Sequence, residues 1–473
     1  MTSSSTHSEL TEGDLVRPML NLAWPMVAIQ LLQVAYNVAD TFWLGALSAD
    51  AVGALSLAFP LIFLLISVGG GFTTAGTILV AQYMGADSEG KAGHIAGQTL
   101  SFVTIVAVGI AIAGFLLTDA MLGLLPADEA TAAQIIPLAS DYMRLFFLGM
   151  PALFGFFMFT SLMRGYGNTR TPLVVMLVSV VVNVVLDPFL IFGWWVFPAL
   201  GIEGAAIATV FSRVVATLIG LYVLFGTSAG PTIELPDLVP RLDDVRDIVR
   251  LGVPSALEQS TSSMAMILLT GMVATFPPAV VAAYGLGNRL ISLAFLPAMG
   301  MSQAIDTVVG QNLGAGKPER AQRASYLAMK LVAVVMVGVA VVAWLFPEPI
   351  VGVFISTKTA QAAATIAHAS DYLRTVAVMF AFMGVLQVAL GTFRGAGNTR
   401  TALVFSMVTL WLGRLPATYY FVFVEGWGPT GIWVAVAIGD VVGCIAAVAW
   451  LSRGTWKESI VDESVSTHQP SDD

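Results

Sequence analysis

The chain has 473 residues, of which 57% are hydrophobic and only 11% charged, with a mean hydropathy of +0.84. Soluble globular chains carry about 25% charged residues, so a water-covered surface is excluded, as are a disordered chain, a coiled coil and a disulfide scaffold. The net charge of −9 argues against nucleic-acid binding, and the lone Cys444 rules out an intramolecular disulfide or a cysteine-based metal site.

In chain order, residues 1–16 read as a polar tail without the basic-then-apolar layout of a cleaved signal. A window of about 20 residues, the length a helix needs to cross the hydrocarbon core, then picks out twelve apolar segments. They lie near 18–43, 52–82, 93–117, 140–163, 171–192, 203–226, 247–275, 281–311, 322–346, 371–393, 401–424 and 431–452. Gly, Pro and small residues are scattered through them, as close-packed membrane helices allow. Strand alternation is absent, so the expected fold is an all-α polytopic membrane protein with twelve transmembrane helices. Residues 454–473 read as a second polar tail.

Basic residues set the expected orientation. The connections after the even-numbered spans hold Lys91; Arg164 and Arg170; Arg241, Arg246 and Arg250; Lys317, Arg320 and Arg323; and Arg394 and Arg400. The tails add Arg17, Arg453 and Lys457, whereas the odd connections carry Lys358, with Arg144 and Arg374 at the starts of their helices. Both termini are therefore expected in the cytoplasm, and the chain in the cell membrane.

An internal repeat runs at an offset of 229–230 residues. Ser140-Asp-Tyr-Met-Arg144 recurs as Ser370-Asp-Tyr-Leu-Arg374, and Arg164-Gly-Tyr-Gly-Asn-Thr-Arg-Thr171 as Arg394-Gly-Ala-Gly-Asn-Thr-Arg-Thr401. Gln82-Tyr-Met-Gly-Ala86 recurs as Gln311-Asn-Leu-Gly-Ala315, and Pro25 and Gln30 pair with Pro254 and Gln259. Each half holds six spans, an even number, so the repeats are parallel. The expected lobes are 17–228 and 247–453, joined by a Pro-rich linker over 229–246. Paired halves of this kind enclose a midplane site in secondary transporters.

Ionisable groups in the bilayer centre cost roughly 2.5–3.5 kcal/mol on insertion scales and so mark ion or substrate paths. Asp40 lies well inside the first span, with Gln33, Tyr36 and Asn37 on the same helical face. Asn183 and Asp187 stack at i and i+4 in the fifth span, where Pro188 frees the carbonyl of Val184. Thr209 in the sixth span adds an oxygen. These ligand types suit a proton or a hard cation, so Asp40, Asn183, Asp187 and Thr209 are the candidate coupling residues, and the candidate Na⁺ ligands if the ion is Na⁺. The repeat positions of Asp40 and Asp187 hold Leu269 and Ala417, so the acidic pair belongs to the first half alone.

The second half instead offers Glu258 with the run Gln259–Ser263, Gln303 and Asp306, Arg414, and Asp440. Glu258, Asp306 and Arg414 are the candidate second polar site, with Arg414 or Arg289 expected to neutralise the acids. The Gly-Asn-Thr-Arg-Thr elements read as turns, the Ser-Asp-Tyr-x-Arg elements as helix openings, and His94 as a solvated or capping residue. No His-Glu-x-x-His, Gly-x-Ser-x-Gly or Gly-Lys-Ser constellation points to an enzyme.

At these residues the chain resembles the multidrug and toxic compound extrusion (MATE) family, in its DinF-like branch. The marks are Asp40-Thr-Phe-Trp-Leu-Gly45, the paired Arg-Gly-x-Gly-Asn-Thr-Arg-Thr elements, and Leu186-Asp-Pro-Phe-Leu-Ile-Phe-Gly193. The resemblance implies two pseudo-symmetric six-helix lobes arranged as a V, alternating access, and export of small organic cations in exchange for H⁺ or Na⁺, with no cofactor. By it, Asp40, Asn183, Asp187 and Thr209 match the N-lobe coupling site and Gln33, Tyr36 and Asn37 a surrounding polar network. Met383 stands where another branch has a tenth-helix aspartate. The rival expectation is a lipid-linked oligosaccharide flippase of the same superfamily, whose anionic substrate calls for basic cavity residues. Two fused lobes suffice as a monomer.

Overall fold

The computed structural model describes residues 10–123, 129–355 and 362–461. Lys358 and the outer parts of both tails lie outside the described residues. Within them every regular element is a helix, with no strand. The first three spans are Val16–Leu47, Ala49–Gly85 and Glu89–Gly123. The turn between the first two is the single residue Ser48, whose hydroxyl accepts the Ala51 amide at 3.0 Å and caps the second helix.

The fourth and tenth spans are longer than the hydropathy pattern indicates, and both are bent. Glu129–Leu148 meets Met150–Tyr166 at 52°, and Ala362–Ala377 meets Phe380–Gly395 at 55°. Gly149 and Pro151 account for the first break, because proline withholds a backbone donor and clashes with the preceding turn. The second break, at Val378 and Met379, carries neither residue.

The remaining spans are Arg170–Phe192, Ile202–Gly226, Leu242–Val273, Pro278–Gly314, Pro318–Leu345, Thr399–Val424 and Pro429–Leu451. Among the described residues eleven of the spans are long and apolar enough to cross a membrane, each bent pair counted as one span, and Leu242–Val273 brings the helices to twelve. The seventh, Leu242–Val273, is the least apolar because it carries the run Glu258–Ser263. The hydroxyls of Thr261, Ser262 and Ser263 turn back onto the carbonyls of Leu257, Glu258 and Gln259 in their own helix, so these groups are satisfied locally. The eleventh span widens into π-helical turns at Val408–Arg414 and Tyr420–Val424.

Large apolar side chains remain on the outside, among them Phe42, Leu116, Leu218, Val334 and Ile445, each at least half exposed. In water that surface would aggregate; in a bilayer it is solvated by lipid tails.

The helices gather into two compact units. One takes in Ala28–Ala256; the other takes in the described residues from Leu257 onward together with those before Ala28. In the first unit Phe147, Phe154, Phe159 and Met163 are fully buried. Glycines let its helices approach closely. A methyl on Gly165 would sit 2.7 Å from the Thr77 carbonyl oxygen and 3.1 Å from Val80 Cβ. Gly165→Ala is expected to cost about 1–3 kcal/mol through overpacking, read as a lowered melting temperature in detergent.

In the second unit Tyr284, Tyr372 and Trp433 stack, the last two with ring centroids 4.2 Å apart. Leu10, Met19 and Leu22 join the same core. Asn312 Nδ2 donates to the Leu10 carbonyl at 3.1 Å and Lys317 Nζ to that of Thr11 at 3.1 Å. Trp456 is likewise buried, its Nε1 bonded to the Leu451 carbonyl. Chain read from its sequence as tail is thus packed from Leu10 and through Trp456, because these apolar side chains find a core to enter.

Two motifs take other places than the sequence indicates. The Ser-Asp-Tyr-x-Arg elements do not open their helices; they sit near the ends of Glu129–Leu148 and Ala362–Ala377. There Arg144 pairs with Asp119 at 2.5 Å and Arg374 with Glu348 at 2.7 Å. Polar anchors between neighbouring helices outweigh the local capping signal.

His94 is the second case. Its Nδ1 lies 2.8 Å from Asp237 Oδ1 and its Nε2 3.0 Å from Asp244 Oδ2. Gln98 Nε2 donates to the carbonyls of Asp237 and Val239 at 2.7 Å each, and its Oε1 accepts the Arg241 amide. Together they clamp the linker to the third span. Burial resists ionisation of Asp237, yet its bonds with His94 and the Glu234 amide hold its carboxyl below the usual range. A depressed carboxylate stabilises the fold above its unfolded pKa and loses that contribution as pH falls through the folded one. His94→Ala is therefore expected to speed amide exchange across the linker roughly tenfold at neutral pH, the equivalent of about 1.4 kcal/mol, and acidification is expected to remove the part of that protection owed to Asp237 in the wild type.

Candidate functional site

Three spans of the first unit bring the intramembrane polar groups together. Asp40 comes from the first span, Asn183 and Asp187 from the fifth and Thr209 from the sixth, and all four are buried. Thr209 Oγ1 donates to Asp40 Oδ2 at 3.4 Å, and Asn183 Nδ2 donates to Asp187 Oδ1 at 3.2 Å. The Asp40 carboxyl faces the side chains of both Asn183 and Asp187 closely enough to interact with them. Three buried oxygens there, Asp40 Oδ1, Asn183 Oδ1 and Asp187 Oδ2, have no hydrogen-bond donor. Acceptors left unpaired in a low dielectric are costly. A proton shared by the carboxyls, or a small hard cation among the oxygens, answers that deficit; both fit the donor set.

The polar stripe of the first span surrounds this cluster. The Tyr36 hydroxyl is 3.0 Å from Ser212 Oγ and 3.5 Å from the Thr209 carbonyl. Gln33 Nε2 donates to Asn37 Oδ1 at 3.2 Å, and Gln33 Oε1 accepts Arg213 Nη2 at 2.8 Å. The Arg213 guanidinium also lies over the Tyr36 ring, 4.7 Å from its centroid, and 5.3 Å from that of Phe156. Ser212 and Phe156 were not among the expected participants. Ser212 carries no periodic signal, and Phe156 reads as ordinary apolar lining.

In the second unit Glu258, Asp306 and Arg414 do not form one site. Arg414 Nη2 bonds Asp440 Oδ2 at 2.7 Å. The cation facing the other two acids is Arg394, not Arg414 or Arg289. Its Nη1 is 2.9 Å from Glu258 Oε1, its Nε 3.7 Å from Asp306 Oδ1, and its Nη2 donates to Ser302 Oγ at 3.0 Å. Ser406 completes the group with a 3.1 Å bond to Glu258 Oε1. Arg394 sits in a repeated turn motif, where its sequence context points to membrane orientation and not to a buried acid. Its long side chain instead reaches back along the tenth span into the helix bundle. The repeat-equivalent Arg164 donates to Thr77 Oγ1 at 3.0 Å.

A duplicated helical membrane protein that buries an acid pair in one half has the build of a secondary transporter. The MatE family profile matches residues 25–189 and again 254–420. The chain belongs to the MatE family. It is 30% identical over 452 residues to the probable multidrug resistance protein YpnP of Bacillus subtilis, covering 95% of this chain and 97% of that one. It is 26% identical to a FAD transporter of Shewanella oneidensis, covering 92% and 94% of the two chains. Among solved structures, a MOP-superfamily transporter of Pyrococcus furiosus, described as having a binding pocket of reversed polarity, superimposes with a TM-score of 0.89. That match has 26% identity and covers 97% of this chain and 99% of the other.

Proposed function

We propose that the protein is a secondary active antiporter exporting organic cations across the cell membrane in exchange for H⁺ or Na⁺. Coupling occurs at Asp40 and Asp187, with Asn183 and Thr209 contributing oxygens. The observation that carries this reading is the set of three donorless oxygens on Asp40, Asn183 and Asp187. Such a set accepts one small positive ligand, and an organic cation drawn to the same carboxylates competes with it. By linkage each ligand weakens the other's binding, which is the requirement for exchange. The names of relatives such as YpnP point to drugs as substrates.

A substrate anion, as in the FAD transporter relative or a lipid-linked oligosaccharide flippase, fits less well. The first unit buries two carboxylates against one guanidinium among its described residues, so its interior repels negative charge. The distribution of Lys and Arg supports cytoplasmic termini, and two fused units support a working monomer.

The test is reconstitution in liposomes, with a pH gradient and a Na⁺ gradient imposed separately while a fluorescent monocation is followed. Dye accumulation against its own gradient under one of the two is expected. Flux that only follows the dye gradient under both overturns the proposal.

A further inference from the structure

Among the described residues from Ala28 to Ala256, the fully buried charged side chains are Asp40, Asp187 and Arg213. His94 and Arg164 are half-buried, and each is engaged at a helix end by Asp237 and Asp244, or by Thr77. Arg213 is therefore the one cation in the interior of this unit. A guanidinium so placed costs several kcal/mol unless something offsets it.

Its direct partners offset it only in part. They are the Gln33 amide oxygen at 2.8 Å, the Met176 sulfur at 3.4 Å, and the faces of Tyr36 and Phe156. No carboxylate among the described residues lies within 4 Å of it. It stands one helical turn beyond Thr209, the residue that donates to Asp40, and Tyr36 bridges the two: its ring lies under the guanidinium and its hydroxyl reaches the Thr209 carbonyl. The groups facing Arg213 are thus neutral at first contact, so no counter-ion cancels its charge before it acts on Asp40.

The sequence gives this cation no counterpart. At an offset of 230 residues, Asn183, Thr209 and Arg213 correspond to Gly413, Gly439 and Gly443. The last two are pressed against Arg414 and Thr409 of the eleventh span. The arginine and the acids it faces occur together in one half and are absent together from the other.

We infer that Arg213 sets the charge of the substrate. Building on the proposed coupling role of Asp40 and Asp187, it leaves the site, once the coupling ion has departed, with one net negative charge in place of two, so the transporter selects monovalent organic cations over divalent ones. A dication would bring a surplus positive charge into a water-poor interior beside a guanidinium that cannot release its proton.

Ethidium and propidium share one phenanthridinium ring system but carry one and two positive charges. Binding of each to the purified wild-type protein is measured by fluorescence, and each is followed into everted vesicles under the coupling gradient. Wild type is expected to favour ethidium by about tenfold or more, equivalent to about 1.4 kcal/mol. Arg213→Met is expected to raise the propidium-to-ethidium binding ratio by about tenfold, and Arg213→Lys to leave it near wild type. Equal wild-type binding of the two dyes, or a ratio that does not move in Arg213→Met, overturns the inference. Should Arg213→Met fail to fold, Arg213→Gln, which removes the charge but keeps a donor for Gln33, is expected to raise the ratio in the same way, and an unmoved ratio there overturns the inference. Wild-type ethidium binding and export by both Asp40→Asn and Asp187→Asn is a different result: it removes the coupling site and the charge match with it.

Discussion

Asp40→Asn and Asp187→Asn are each expected to abolish ion-driven export, by a hundredfold or more in initial rate, while leaving a folded protein in the membrane. Asparagine keeps the size of the side chain and an acceptor oxygen, so the contact with Thr209 or Asn183 survives and the helices stay packed. What disappears is the charge that a proton or cation exchanges against. Because both carboxylates face one another and share the three donorless oxygens, losing either removes the competition on which exchange depends. The measurement is gradient-driven dye uptake in liposomes, with thermal stability and downhill dye flux recorded alongside. Thr209→Val is the graded comparison: it removes one neutral donor and is expected to weaken coupling by about tenfold without abolishing it, in line with about 1 kcal/mol for a single hydrogen bond. Export at the wild-type rate by both asparagine variants would end the mechanism.

The second large effect concerns stability. Arg394→Met is expected to destabilise the second unit by about 3–5 kcal/mol, because it takes from the buried Glu258 and Asp306 the guanidinium that both face. The variant should accumulate poorly and lose monodispersity in mild detergent. Adding Glu258→Gln and Asp306→Asn to Arg394→Met should recover most of the folded yield, since replacing a whole buried charge group is far less costly than removing one partner. Arg414→Met is expected to behave in the same direction through Asp440. If Arg394→Met folds like wild type, the ion-pair network does not hold that unit together. If the triple variant stays as unstable as Arg394→Met, the loss comes from packing and not from charge.

These two clusters were legible in the sequence to different degrees. In the first half, Gln33, Tyr36, Asn37 and Asp40 share a face by simple helical periodicity, as do Asn183 and Asp187, so each stripe was visible. That the stripes meet is a tertiary matter. In the second half the acids were visible and their partner was not. Arg394 belongs to a turn motif whose twin, Arg164, is bound to a hydroxyl, and nothing local distinguishes the two. The bend of the fourth span is announced by Gly149 and Pro151; that of the tenth is not announced at all.

What the sequence by itself determined is everything that follows from periodicity and transfer energy: helices long enough to cross a bilayer, their number, the duplication, and which side chains are too polar to face lipid. Those depend on neighbours along the chain. The tertiary structure decided which polar side chains share a cavity and which cation answers which acid. A long Arg side chain ends several ångströms from its own backbone, so its partner is chosen by helix packing and not by position in the sequence.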